Sequence, residues 1–276
     1  MNNIIIKNRF LILRRLSQVS VMALYILANA YGITILQGNL SSSLLLGTIP
    51  LSDPFAVLQM LFAGALIASN VLVGALIISF FYFLVGGRVF CSWVCPVNII
   101  TDFSAYIRRK MGFDKIQKRQ PASRKTRYAV LGLSLVLSTI LGLSAFEFIS
   151  PISMVHRGLI FGLGFGWAAM LIIFLFDLFV LKNGWCGHIC PLGGFYSLLG
   201  KFSFLRVNHD YEKCTACMKC KEICPEKQVL WMISKESTPV LSGECTNCAR
   251  CIEVCDDDAL NFSIINRFTK KIGEKK

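Results

Sequence analysis

Two runs of four cysteines near the C-terminus constrain this 276-residue chain more than any other feature. The runs share one internal spacing, C-x2-C-x2-C-x3-C, and only a short linker separates them. Their members are Cys214, Cys217, Cys220 and Cys224 in the first run, and Cys245, Cys248, Cys251 and Cys255 in the second. Cysteines clustered this tightly suit metal ligation better than loop-closing disulfides. The spacing therefore predicts a metal-binding domain in this part of the chain.

The same spacing is typical of bacterial two-cluster ferredoxins, in which each run supplies three ligands to one cluster and the fourth ligand to the other. It predicts two [4Fe-4S] clusters. Cluster one takes Cys214, Cys217, Cys220 and Cys255, and cluster two takes Cys245, Cys248, Cys251 and Cys224. Zinc is the alternative, because paired C-x2-C motifs also form closed tetrahedral sites. Asp256 replaces the proline that usually follows the second run, and its charge is expected to lower the potential of cluster one.

Long apolar runs make up most of the remaining chain. Charged residues are only 16% of the composition and the mean hydropathy is +0.59, whereas charged residues are about a quarter of an ordinary globular domain. The runs cover about 17–36, 61–85, 128–146 and 163–181. Because each is close to the length that spans a bilayer, we expect an all-α membrane domain with four transmembrane helices. The predicted domains are membrane 1–200, an α+β ferredoxin-like domain 206–262 and a basic tail 263–276.

The net charge of +13 is distributed as in a membrane protein. The segment 86–127 is rich in Lys and Arg, whereas 37–60 contains neither. Basic residues placed beside apolar runs fix the orientation of membrane proteins, and this distribution argues against nucleic acid as a partner. The positive-inside rule then predicts a multi-pass protein with both termini in the cytoplasm.

A second cysteine motif, C-x3-C-P, occurs twice. Each copy follows an even-numbered apolar run and a Gly-containing turn, so we expect a duplicated helix pair. The four thiols are those of Cys91, Cys95, Cys186 and Cys190. Three interpretations stay open: a further metal or redox centre, a dithiol pair, or helix ends terminated by Cys-Pro turns.

In combination these features resemble the NapH family, the membrane-bound ferredoxin-type quinol dehydrogenase subunits of periplasmic nitrate reductase systems. The resemblance covers nearly the whole chain and includes the apolar runs, both C-x3-C-P motifs and both cysteine runs. It implies a component of a multi-subunit system in the bacterial inner membrane that passes electrons from menaquinol or ubiquinol towards nitrate reductase. The implied partners are a periplasmic iron-sulfur subunit and a membrane-anchored multihaem cytochrome. The alternative is a membrane-bound iron-sulfur assembly or redox-sensing protein of a related respiratory system.

Quinol oxidation releases protons as well as electrons, so a proton acceptor is expected. The candidates are Asp177, His188, Glu147 and His156, with Asp53 a weaker one. Asp177 stands out because it lies late in the fourth apolar run among phenylalanines, and ionisable groups in such runs are functional suspects. The three histidines all lie away from the middle of the runs, so a bis-histidine haem within the chain is not expected.

Overall fold

The computed structural model describes residues 8–32, 35–113, 123–162, 164 and 166–264. They divide into two compact units, each built from separate stretches of chain. The C-terminal unit contains the described residues of 1–14, 81–92 and 196–276, and the helical unit contains those of 15–80 and 93–195. The domain boundaries expected from the sequence stay predictions, and the basic tail lies almost entirely outside the described residues.

Up to residue 200 the chain is mainly helical. The elements are α1 (Arg9–Tyr31), β1 (Leu36–Gly38), β2 (Ser42–Leu45), β3 (Ile49–Ser52), α2 (Pro54–Phe62), α3 (Ser69–Val85), α4 (Val89–Trp93), α5 (Val97–Lys110), α6 (Thr126–Leu141), α7 (Ala145–Ile149), α8 (Pro151–Phe161), α9 (Gly166–Leu175), the π-helices π1 (Phe176–Val180) and π2 (Trp185–Ile189), and α10 (Pro191–Gly200). Two consecutive π-helices are unusual, because single π turns are rare and are often found at functional sites.

The prediction of four membrane-spanning helices is wrong. Among the described residues, one helix, α1, is long and apolar enough to cross a membrane. The apolar helices α3 and α6 have 17 and 16 residues, and α9 together with π1 covers Gly166–Val180. All three are short of the roughly 20 residues that a span requires. The predicted multi-pass topology with both termini in the cytoplasm is therefore not supported.

Glycines explain why the apolar runs are longer than the helices. After α2 ends, Gly64 adopts a φ of +74° and α3 begins only at Ser69, so the run 61–85 is broken near its start. Gly142 caps α6 in the left-handed conformation, with a φ of +66°, and its N–H bonds to the carbonyl of Ser138. Glycine reaches this region of backbone space without the steric cost of a Cβ. Hydropathy alone does not register these helix ends.

The all-α expectation for this part of the chain also missed a small sheet. Strands β1, β2 and β3 form an antiparallel meander in which Leu36 pairs with Leu45 and Ser43 pairs with Leu51. The buried Leu36 packs with Met22 of α1, so the sheet shares an apolar cluster with that helix. Short strands of this kind give a weak sequence signal because neither face shows a sustained alternation.

The C-terminal unit adds a small α+β arrangement around the cysteine runs. Its elements after residue 200 are β4 (Leu205–His209), α11 (Lys219–Ile223), a 3-10 turn (Lys227–Leu230), α12 (Arg250–Glu253) and β5 (Leu260–Ile264). β4 and β5 pair antiparallel from Leu205↔Ile264 to His209↔Leu260. A core of fully buried apolar side chains, including Val207, Leu230 and Met232, packs against several of the cysteines. This packing fixes the two runs against a common core.

Candidate metal centre

The two cysteine runs have the same local backbone conformation. In each run, the second and fourth residues after the first cysteine have positive φ. These residues are Ala216 (57°) and Met218 (60°) in the first run, and Asn247 (46°) and Ala249 (59°) in the second. A short helix, α11 or α12, begins directly after the second of them. Alternating left- and right-handed residues turn successive amide N–H groups to one side, which forms the concavity found at iron-sulfur and other anion sites.

The eight cysteines fall into two groups whose thiols interact electrostatically. In the first group, the thiol of Cys220 interacts with those of Cys214, Cys217 and Cys255. In the second group, the thiol of Cys251 interacts most strongly with those of Cys224, Cys245 and Cys248, and less with that of Cys220 in the first group. The fourth member of each group therefore comes from the other run. These are the quartets that the spacing assigns to cluster one and cluster two, and that ligand assignment stays a prediction.

The second quartet is the more deeply enclosed. All four of its cysteines line one cavity of the C-terminal unit. Burial raises the pKa of Cys245 to about 11 and that of Cys251 well above its ordinary value. Such thiols hold their protons until a metal displaces them, so cluster assembly releases protons. In contrast, Cys217 of the first quartet is exposed.

Two cofactors could use this donor set, a [4Fe-4S] cluster and zinc. Four thiols supply the ligands of a [4Fe-4S] cluster, and those of the second quartet line one cavity. A single zinc ion needs its thiolates gathered at about 2.3 Å from one point. Within the described part of the chain, no three His, Cys, Asp or Glu side chains are grouped closely enough to hold one metal ion. The quartets thus fit the cubane in the number and type of their ligands.

The segment from Val85 to Ser92 is bonded to the second cysteine run within the C-terminal unit. Arg88 Nη1 donates to Glu226 Oε1 at 2.5 Å and to the carbonyl oxygen of Glu244 at 3.0 Å. Ser92 Oγ donates to the carbonyl oxygen of Thr246 at 2.7 Å. Both carbonyls belong to residues that flank Cys245. The loop of the second run is therefore fixed by side chains that lie far away in the sequence.

Asn247 strengthens the same attachment. Its side-chain Nδ2 donates to the carbonyl oxygens of Val85 and Leu205, both at 3.1 Å. Val85 is the last residue of α3, where carbonyls have no partner within the helix. Asn also tolerates the left-handed backbone at this position better than most residues. Sequence analysis did not single out Asn247, although an Asn between two ligand cysteines is a usable signal for this conformation.

A second buried arginine lies close to the same run. Arg206 is 2% exposed, and its guanidinium donates to the carbonyl oxygens of Gly200, Ser203 and Ser242. Arg206 and Arg88 both favour the anionic form of the Cys245 thiol. Sequence analysis overlooked both arginines, because a lone Arg carries no sign of burial in the sequence.

The first quartet is surrounded by exposed charges instead. Asp256 Oδ2 and Lys219 Nζ are 2.7 Å apart, and both side chains are more than half exposed. Asp257 Oδ2 accepts hydrogen bonds from the backbone N–H and the hydroxyl of Thr215. The charge of Asp256, which the sequence places beside cluster one, is thus partly offset by Lys219.

The two C-x3-C-P motifs share one local structure. In each, the first cysteine lies on a short helix, Cys91 on α4 and Cys186 on π2, and is half-buried. The second cysteine is buried, and a long helix begins just after it. Proline at the start of the next helix has a φ suited to that position and lacks only an N–H that would be unpaired. Cys91 belongs to the C-terminal unit and the other three cysteines to the helical unit, so a joint four-thiol centre stays a prediction.

Asp177 is the most unusual of the proton-acceptor candidates. It lies on π1 and is 1% exposed. Its Oδ1 accepts a hydrogen bond from the N–H of Trp185, the first residue of π2, at 3.0 Å. Its Oδ2 is buried and makes no hydrogen bond to any described residue. Burial is the largest influence on this carboxyl and raises its pKa to about 7.

The other candidates have more ordinary surroundings. Glu147 accepts hydrogen bonds from the hydroxyls of Ser41 and Ser153 at 2.6 and 2.5 Å. His156 is buried with its ring edge-to-face on Tyr25. The last two candidates are His188, which is buried on π2, and Asp53, which caps α2. Asp177 and His188 therefore lie on consecutive π-helices, with His188 two residues from Cys186.

Comparison with protein families assigns iron-sulfur clusters to this chain. The model described as "4Fe-4S dicluster domain" matches residues 206–256, which include both cysteine runs. The model described as "4Fe-4S binding domain" matches 67–114 and 163–208, and each of these segments contains one C-x3-C-P motif. No solved structure matches the chain. The protein is thus an iron-sulfur protein of the ferredoxin type.

Curated relatives extend the match to most of the chain. The methylamine utilization ferredoxin-type protein MauN of Methylorubrum extorquens is 45% identical over 235 residues, which are 84% of this chain and 81% of that protein. The ferredoxin-type protein NapH of Haemophilus influenzae is 46% identical over 225 residues, 81% of this chain and 77% of its own length. NapH of Escherichia coli is 44% identical over 235 residues, which are 84% of this chain and 81% of that protein. The chain belongs to the family of ferredoxin-type iron-sulfur electron-transfer proteins that includes NapH and MauN.

Proposed function

We propose that this protein carries electrons from a membrane quinol through two [4Fe-4S] clusters to a respiratory partner. The observation that supports the proposal is the grouping of the eight cysteine thiols, in which the strongest interactions join three members of one run with one member of the other. Cluster one is assigned to Cys214, Cys217, Cys220 and Cys255, and cluster two to Cys224, Cys245, Cys248 and Cys251. Each cubane supplies a one-electron carrier when bound. Two such carriers match the two electrons that one quinol gives up.

The helix α1 is proposed to bring the protein to the lipid. It is the candidate membrane helix of the described chain, and Arg9, Arg14 and Arg15 all lie in its first two turns. A positively charged end followed by an apolar stretch is typical of a helix that enters a bilayer. A quinol dissolved in the same bilayer is then available to the protein.

Asp177 is proposed as the group that accepts a proton from the quinol. A general base works best when its pKa is close to the ambient pH, and burial gives Asp177 a pKa of about 7. Its Oδ1 is held by the N–H of Trp185 while Oδ2 is left for a proton. His188, on the following π-helix, is proposed as a second proton carrier. Glu147 and His156 are weaker candidates because their contacts are those of structural residues.

The destination of the electrons is proposed to be a periplasmic nitrate reductase, reached through an iron-sulfur subunit and a multihaem cytochrome. The support for this destination is the similarity to the two NapH relatives, which are 44% and 46% identical to this chain. A second destination has similar support, because MauN, named for methylamine utilization, is 45% identical. Growth of a deletion strain on nitrate and on methylamine separates the two.

Electron paramagnetic resonance of the anaerobically purified protein in lipid tests the quinol step. Spectra are recorded before and after addition of a menaquinol analogue and again after dithionite, with iron and zinc analysis of the same sample. The proposal predicts about eight irons per chain and cubane signals that develop with quinol. Cubane signals that develop only with dithionite would show that quinol is not the electron donor. A protein that contains two zinc ions and has no cubane signal would contradict the electron-transfer function itself.

A further inference from the structure

The helical unit contains an apolar cavity of about 190 Å³ between α5, α8 and α9. The residues that line it include Ile100, Val155, Gly158, Leu159, Trp167 and Met170. None of these residues has a charged side chain, and only the indole of Trp167 carries an N–H donor. Leu159 and Trp167 are exposed, so the cavity reaches the surface of the unit. Because an apolar cavity of roughly 150 Å³ is large enough to bind benzene, this one has room for a short length of hydrocarbon chain.

Two glycines shape the cavity. At Gly166, the start of α9 packs closely on α8, because a Cβ there would lie 2.8 Å from the carbonyl oxygen of Met154. At Gly158, in contrast, a Cβ would have no described atom within 4 Å. The first glycine thus lets the two helices approach each other, and the second leaves open space beside them. A larger residue in place of Gly158 would occupy that space without displacing its described neighbours.

The cavity lies on the same pair of helices as Asp177. Met170, which lines the cavity, is followed at helical positions i+4 and i+7 by Phe174 and Asp177, so the three residues share one face. Helix α5 runs beside this face. Ser104 Oγ donates to the carbonyl oxygen of Phe174 at 3.5 Å, and Arg108 Nη1 donates to that of Asp177 at 3.3 Å. Met170 and Asp177 are about 10 Å apart along the helix, at roughly 1.5 Å per residue.

We propose that this cavity binds the isoprenoid tail of the quinol whose ring is oxidised at Asp177. The inference rests on the proposed function, because it concerns the substrate of the same site. A membrane quinol joins a polar ring to a long apolar chain. Burial of that chain against apolar walls contributes binding free energy in proportion to the area removed from water.

Photolabelling of the wild-type holoprotein in detergent locates the tail. The probe is a menaquinone analogue with a diazirine in its isoprenoid chain, and peptide mass spectrometry maps the adducts. We expect adducts in α8 and α9, and we expect excess unlabelled menaquinone to suppress them. Adducts confined to other helices would overturn the proposal. Suppression by an equal excess of phospholipid would also overturn it, because the cavity would then hold acyl chains in general.

Substitution of Gly158 gives a second, independent readout. Gly158→Leu fills the cavity, and cluster reduction is measured with tailed menaquinol and with menadiol, which has the same ring and no tail. The KM for tailed menaquinol should rise at least about tenfold, because a few methylene groups lose their burial. The KM for menadiol should stay close to its wild-type value. The matched control is Gly132→Leu on α6, where a Cβ also has no described atom within 4 Å.

An unchanged KM for tailed menaquinol in Gly158→Leu, or an equal rise for both quinols, would contradict a tail site in this cavity. A rise of the same size in Gly132→Leu would contradict it as well. If Gly158→Leu does not fold, photolabelling of the wild type decides the question by itself. Should neither quinol reduce the clusters of the wild type, the proposed function fails, whereas the adducts still report where the chain binds. The two failures are therefore distinguishable.

Discussion

The two cysteine systems of this chain repeat a motif in different ways. Each C-terminal run folds into a loop with two left-handed residues, and the runs are predicted to exchange their fourth thiols. The C-x3-C-P pairs lie where one helix ends and the next begins, and each is a local junction. A metal site is recognisable in sequence when three ligands fall in one loop, because the loop alone sets their geometry. When the ligands come from separate helices, the spacing within each pair says little about a site.

The largest effect is expected from removal of a ligand. Cys248→Ser should lower iron from about eight to about four atoms per chain, because a cubane with three thiolates is not retained. Cys186→Ser is the matched control in the other cysteine system and should keep the full iron content. Iron analysis of both purified variants is the measurement. Loss of iron from Cys186→Ser would contradict the proposed difference between the two cysteine systems, since the C-x3-C-P thiols would then be ligands as well.

The variant Asp177→Asn tests whether the region of the second C-x3-C-P motif takes part in quinol oxidation. Asp177→Asn keeps an oxygen for the N–H of Trp185 but cannot accept a proton, so quinol-driven cluster reduction should slow about a hundredfold. Reduction by dithionite should be unchanged, which controls for damage to the clusters. Stopped-flow absorbance measures both rates, and a variant as fast as the wild type with quinol would exclude Asp177 as the acceptor.

The pH dependence of the quinol reaction follows from the same carboxyl. Because Asp177 has a pKa of about 7, it is mostly protonated below that pH and cannot act as a base. The rate should therefore rise as the pH increases through about 7 and level off above it. The Asp177→Asn variant should lose this step. A wild-type rate that falls over the same range would contradict the assignment.

A moderate effect is expected at the attachment of the second run. Asn247→Ala removes two hydrogen bonds, to Val85 and Leu205, and places alanine, which tolerates the left-handed region less well than asparagine, at a φ of 46°. Together these changes should destabilise the holoprotein by about 2 kcal/mol. Thermal unfolding followed by circular dichroism measures the loss. An unchanged melting temperature would mean that this attachment contributes nothing to stability.

The smallest effect is expected at the equivalent position of the first run. Ala216 has a φ of 57° and corresponds to Asn247. Ala216→Gly should stabilise the holoprotein by up to about 1 kcal/mol, because glycine adopts this conformation without strain. The same unfolding experiment applies. Destabilisation instead would show that the methyl group contributes packing that outweighs the strain.

The metal-binding half of the molecule is largely predictable from its sequence, and the helical half is not. The quartets follow from the C-x2-C-x2-C-x3-C spacing because the ligands define their own loops. Apolar content predicted four membrane spans, but Gly64 and Gly142 end helices within the apolar runs, and one candidate span is found among the described residues. Hydropathy reports how apolar a segment is and does not report where its helix stops.

The charged surroundings of the clusters were hidden for a different reason. Arg88 lies 138 residues from its partner Glu226, and Arg206 is satisfied by backbone carbonyls that any residue provides. Neither contact leaves a pattern in the local sequence. Asp177 was found because an acidic residue in an apolar run is conspicuous by itself. Its bond to Trp185 depends on the two π-helices, which the sequence did not predict.

The exchange of fourth ligands between the two runs is the central claim, and electron paramagnetic resonance of the dithionite-reduced Cys255→Ser variant tests it most directly. Cys217→Ser and Cys248→Ser, recorded alongside, identify the signals of cluster one and cluster two. The account predicts that Cys255→Ser loses or alters the same signal as Cys217→Ser and leaves the other intact. Loss of the signal that Cys248→Ser removes would mean that each run supplies all four of its own ligands, and the exchange would be wrong.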